Sequence, residues 1–181
     1  MKRNVLIFGS ILGAILLINL VYMCNMCYNN PEFESNDTLG YAALIVVFSL
    51  VFFGTRNYRN KELGGIISFG KAFKTGALIA LLGATIYVAF WLPYYYLVVP
   101  DYLDKYTIHV MKDAERSGAS ATELADKVSE MNTYKEMYKN PLFVVLITYA
   151  EVLPIGLIVA LVSALVLKKK PGAPVPVTTT S

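Results

Sequence analysis

Charge is scarce in this sequence, and it is missing in long runs. Only 16% of the 181 residues are Asp, Glu, Lys or Arg, 56% are hydrophobic, and the mean hydropathy is +0.51. Those values lie outside the usual range of water-soluble domains, so the chain reads as a membrane protein. Histidine occurs once, as His109. No Ser, Cys or metal-ligand constellation accompanies it in the sequence, which leaves hydrolase chemistry unsupported and His109 expected at the surface. The only two cysteines, Cys24 and Cys27, cannot build the disulfide framework of a secreted mini-domain. A net charge of +3, with no basic patch interleaved with aromatics, argues against nucleic acid as a partner.

What the sequence does have is four apolar runs. The first, about residues 4–24, follows Lys2 and Arg3, and no charge appears before Glu32. A signal peptide begins the same way, but no small-x-small cleavage site follows, and Met23 spoils a lipoprotein site at Cys24. An uncleaved anchor is expected. Gly9 and Gly13, four apart, would let a second backbone approach. The second run, residues 39–55, ends at Arg56 and Arg59 and at roughly 1.5 Å per residue barely crosses the hydrocarbon. The third, residues 75–97, lies in a charge-free stretch longer than a bilayer needs. Pro93 is expected to kink it or end its membrane part, with Trp91, Tyr94, Tyr95 and Tyr96 as an aromatic belt at headgroup level. The fourth, residues 141–167, precedes Lys168, Lys169 and Lys170 and a Pro- and Thr-rich tail, 171–181, that is expected to be disordered.

The connections differ in charge. Residues 31–38 are acidic, with Glu32, Glu34 and Asp37. Residues 56–74 are basic, with Arg56, Arg59, Lys61, Lys71 and Lys74 against Glu62. Within the basic loop Gly64-Gly65 is a break, and residues 66–75 read as a short interfacial ramp whose Lys71 and Lys74 would meet lipid phosphates or a cytoplasmic partner. Residues 65–72 nearly spell a phosphate-binding loop, but Ala72 stands where Ser or Thr would hold Mg²⁺, so nucleotide binding is not expected. Residues 101–140 look soluble. Tyr102, Leu103, Tyr106 and Val110 recur at helical spacing, Gly118 is a stop, Ser120 with Glu123 forms a capping box, and Leu124, Val128, Met131 and Tyr138 mark a second stripe. The Lys and Arg distribution puts both termini and the basic loop on the cytoplasmic side. The expected fold is all-α, an integral membrane four-helix bundle with an extracytoplasmic helical hairpin between spans 3 and 4. It forms one domain over residues 1–170.

Glu151 is the one charge inside an apolar run. An ionisable group within a span is costly and by default marks a functional site. Counting from Pro141 places it roughly 15 Å below the outer surface at 1.5 Å per residue, near the depth of Tyr87, Thr85 and Ser49, the candidate hydrogen-bond partners. Pro154 removes a backbone donor one turn further on. Two readings stand side by side: a proton or cation relay, and a neutral acid that fixes helix register. Gly76, Ala80 and Ala84 on the third run, and Gly156, Ala160 and Ala164 on the fourth, repeat a four-residue spacing that suits direct packing of one helix on the other. Met23, Cys24, Met26 and Cys27 offer soft ligands for Cu(I), but a single C-x-x-C with no further ligand is a weak metal signal.

The runs Glu62-Leu63-Gly64-Gly65 and Ile67-Ser68-Phe69-Gly70-Lys71-Ala72-Phe73-Lys74 resemble a family of small four-span bacterial membrane proteins, domain of unknown function 4199. So do Ser117-Gly118-Ala119-Ser120, Met137-Tyr138-Lys139-Asn140-Pro141, and Glu151 with Pro154-Ile155-Gly156. The resemblance implies a bacterial inner-membrane location and carries no activity, substrate or cofactor; Cys24 and Cys27 are not part of the shared pattern. The functional expectation is a non-enzymatic, cofactor-free envelope accessory or interaction protein, whose partners are the bilayer and a membrane protein or a second copy of the chain. The alternative is a small proton- or ion-coupled transporter using Glu151. An enzyme acting on lipid would need polar residues clustered at one interface, where only Lys71 and Lys74 are found.

Overall fold

The computed structural model describes residues 1–30 and 37–169. Most of the acidic connection, 31–36, and the tail with Lys170 lie outside the described residues. Six helices and no strand occur among them: α1 (Lys2–Asn29), α2 (Asp37–Glu62), α3 (Phe69–Leu97), α4 (Tyr102–Arg116), α5 (Ala121–Met137) and α6 (Pro141–Leu167).

Three of these, α1, α3 and α6, are long and apolar enough to cross a membrane. Their outward faces suit that setting. Ile18 is 70% exposed and Val166 65%, and Leu6, Leu146 and Ile158 are also largely uncovered. In water so many exposed large apolar side chains would be a liability, whereas lipid accepts them without cost. The inward faces are narrow. On α1 the buried set Gly9, Leu12, Gly13, Leu16, Leu20, Cys24 and Cys27 recurs every three or four residues, which is one stripe of a helix.

Helix α3 is central, packed on α6 and α1, while α2 lies against α6, α1 and α3. Glycines set the directions. Leu82 fills the notch at Gly9 and Ile86 the notch at Gly13, so α1 and α3 run parallel. Gly76 abuts Ala160 and Gly156 abuts Ala80, so α3 and α6 run antiparallel with both small-residue stripes in contact. Phe48 of α2 enters the same groove at Gly156, and Leu12, Phe48, Ile79, Ala80, Ala84 and Val152 share the dry core.

Two helices extend beyond the apolar runs. Helix α2 continues past Thr55 to Glu62, because arginine ends lipid burial without ending the backbone hydrogen-bond ladder. The expected ramp and third span form one helix: Ser68 caps α3, its hydroxyl accepting from the Lys71 amide at 3.4 Å, and the chain stays helical through Pro93 to Leu97. Before the cap, Gly64 and Gly65 take φ of 60° and 86°, a region other residues avoid. The loop is fastened to α6, as the Lys169 amide donates to the Ile67 carbonyl at 2.9 Å and Arg59 reaches the Leu167 carbonyl at 3.3 Å. Beside this clasp the buried Asn4 side chain donates to the Gly54 carbonyl and accepts from Asn57, both at 2.8 Å.

At the opposite end α4 packs on α5 and on α1. Helix α5 opens on a complete capping box: the Ser120 hydroxyl accepts from the Glu123 amide, and the Glu123 carboxylate accepts from the Ser120 amide at 2.7 Å. An ion pair at 2.7 Å joins Lys135 to Asp104. None of the residues of α5 itself is fully buried; of the stripe, Leu124 and Met131 are half-buried, Val128 is exposed, and Tyr138, just past the end of α5, is buried.

Candidate functional site

Glu151 sits on the third turn of α6, between the Gly156–Ala80 contact and the Tyr149–Thr85 hydrogen bond, both of which join α6 to α3. The residue is exposed rather than packed, and it borders a cavity of about 440 Å³. Every helix contributes to the wall: Asn19 and Leu20 from α1, Leu44 from α2, Tyr87 and Trp91 from α3, Tyr102 and Tyr106 from α4, Glu130 and Tyr134 from α5, and Thr148 with Glu151 from α6. Among the described residues two carboxylates face this space, and no Lys or Arg does.

The aromatic part of the wall is held by ring contacts. Trp91 meets Tyr102 edge to face at 5.4 Å between centroids, Tyr102 stacks on Tyr106 at 6.0 Å, and Tyr138 meets Tyr95 at 5.2 Å. The Tyr96 hydroxyl donates to the Tyr138 carbonyl at 2.7 Å, tying the end of α3 to the chain leading into α6. Burial pushes the Tyr102 phenol well above its ordinary range and Tyr138 upward as well, so both stay protonated at neutral pH.

Of the partners expected for Glu151, Tyr87 lines the same cavity and Thr85 and Ser49 do not. None of the three is hydrogen-bonded to Glu151. The Thr85 hydroxyl donates to the Leu81 carbonyl at 2.7 Å and accepts from Tyr149 at 2.9 Å, the usual back-bond of a helical threonine plus one bond across to α6. Pro154 lies inside α6, which stays helical through it. Lys71 and Lys74 are exposed on the first turns of α3, far from the stretch of that helix that lines the cavity. Gly76, Ala80, Ala84, Gly156, Ala160 and Ala164 are all buried and take no part in its wall.

Cys24 and Cys27 are buried free thiols on the α1 face. His109 is a correction to the surface reading: it is 6% exposed, and its Nε2–H donates to the Cys27 carbonyl at 2.9 Å. The contact spans 82 positions of sequence, so no local pattern announced it. Among the described residues no group of three or more His, Cys, Asp or Glu is arranged to hold a metal ion. Sequence reasoning also missed Glu130 and the tyrosine wall of α4 and α5. The available signal was the number of tyrosines, 13, many of them in the stretch between Tyr87 and Tyr149.

No curated protein and no solved structure matches the chain. One family does, described as protein of unknown function (DUF4199), over residues 7–169, and the chain belongs to it.

Proposed function

We propose that this chain is a non-enzymatic multi-pass protein of the bacterial inner membrane that serves as an envelope accessory, presenting α4 and α5 outside the bilayer to a membrane-protein partner or a second copy. In this reading α2 is the fourth span, for which the outward-facing Ile45, Val46 and Phe53 speak, and both termini and the basic loop face the cytoplasm. The observation that carries it is the open face of α5. A helix anchored by a full capping box and an ion pair, yet burying none of its residues and leaving Val128 40% and Met137 45% exposed, offers an ordered surface to another protein. The test is purification in native lipid discs. A protein retained in stoichiometric amount by the wild type and lost in Val128→Asp, at equal membrane level, supports the reading; an unaltered set of retained proteins counts against it.

A second reading, proton- or ion-coupled transport, is favoured by the position of Glu151 on a cavity rather than in a packed helix contact. Infrared titration of the Glu151 carboxyl in lipid, with Glu151→Gln to identify the band, checks it. Ionisation between about pH 5 and 8 means that water or a cation reaches the acid; a band protonated throughout that window removes the reading.

A further inference from the structure

We propose that the cavity bordered by Glu151 is a binding site for an organic ammonium group. This goes beyond both functional readings, since binding here requires neither transport nor a protein partner.

The choice of ligand follows from the wall. Anions are disfavoured, because Glu130 and Glu151 face the space and, among the described residues, no Lys or Arg does. A purely apolar guest would strip water from two carboxyl groups without replacing it. A bare metal ion needs several oxygens closing on one point at about 2.3–2.6 Å for calcium, or less for magnesium. Here the carboxylates come from α5 and α6 across a space of about 440 Å³, and no acid cluster converges among the described residues. An ammonium carrying carbon substituents fits each feature. Its charge is matched by the acids, and its polarised methyl or methylene groups suit the faces of aromatic rings, tryptophan best. Trp91, Tyr102 and Tyr106 form one continuous run of touching rings along the wall. Tyr87 also borders the space, and its hydroxyl has no hydrogen-bond partner among the described residues, which leaves an acceptor for an N–H donor. The volume falls in the range of small-molecule sites. Such a group reaches a membrane protein as a free cation or as the head of an ethanolamine or choline lipid.

Trp91 is the only tryptophan in the chain, so its fluorescence reports on this wall alone. The full-length protein in a maltoside detergent is titrated with choline chloride, against potassium chloride at equal ionic strength. The expected result is a saturable change with choline only. Its midpoint should move about tenfold higher in Glu151→Gln, the loss of one charge-assisted contact of about 1.4 kcal/mol, and several-fold higher in Glu130→Gln. Glu130 is exposed on α5, so its variant keeps the test valid if Glu151→Gln does not fold. A choline response no larger than that of potassium chloride overturns the proposal, as does an unchanged midpoint in both variants. Repeating the titration in discs of phosphatidylglycerol and of phosphatidylcholine identifies the source. A midpoint raised only in phosphatidylcholine supports the site with a lipid head as occupant, and equal midpoints support it with a free cation.

Discussion

Gly76 and Ala160 are in backbone contact: a Cβ added at the glycine would lie 3.0 Å from the alanine Cβ and 3.2 Å from its Cα. Gly76→Val should therefore force α3 and α6 apart, at a cost of about 1–3 kcal/mol for an overpacked core. Gly70, on the same helix, has nothing within 4 Å of an added Cβ. Gly70→Ala should be neutral or stabilising by about 0.5–1 kcal/mol, since alanine loses less backbone entropy in a helix. Unfolding from mixed micelles by titrated SDS measures both.

The Asn4 side chain serves two partners on α2, Gly54 and Asn57, in a buried position. Replacement by leucine leaves a buried carbonyl and an amide short of partners. Asn4→Leu should destabilise by about 1–3 kcal/mol, while Asn57→Leu, which removes one bond at a half-buried site, should cost about 1 kcal/mol. The same SDS titration ranks the two.

His109 of α4 holds the Cys27 carbonyl, and Cys27 is 3% exposed. Loss of that bond in His109→Leu removes about 1 kcal/mol of docking, so the population with α4 lifted should rise about fivefold. Maleimide labelling of Cys27, in a Cys24→Ala background, should accelerate by that factor. A rate equal to the parent's would show that α4 stays seated without the histidine.

Glu123 is exposed, and its carboxylate accepts the Ser120 amide and hydroxyl, which hold its pKa below the ordinary carboxylate value. A depressed folded-state pKa adds stability above the unfolded value and loses it as pH falls through the folded one. Amide exchange in the first turn of α5 should thus be flat from neutral pH to the ordinary carboxylate range. Below that range it should rise relative to intrinsic exchange, and Glu123→Ala should abolish the acid-dependent rise.

Local motifs were legible in the sequence because their chemistry is local. Ser120 and Glu123 announce a helix start at the spacing of one turn. Residues four apart on a helix share a stripe, so Gly76, Ala80 and Ala84 could be read as a face. What lies opposite a face is a long-range fact, and Phe48 entering at Gly156 had no signal of its own. Hydropathy reports where the apolar run stops at Thr55 and is silent on where the helix stops, and α2 runs on through Arg56 to Glu62. The cavity was the least legible feature. Six helices supply its wall, and Glu130 resembles any solvated acid until the fold brings it to the same space as Glu151.

The clasp between Ile67 and Lys169 and the meeting of the two small-residue stripes also impose an order on biosynthesis. Helix α6 leaves the ribosome after the other five, so until then the stripe of Gly76, Ala80 and Ala84 on α3 lacks its α6 partner, with Val51 of α2 covering only the Gly76 end. During that interval Arg59 and Ile67 have not met the backbone groups at Leu167 and Lys169. A chain truncated before α6 would keep the groove without the Ala160 and Gly156 contacts that close it in the finished protein.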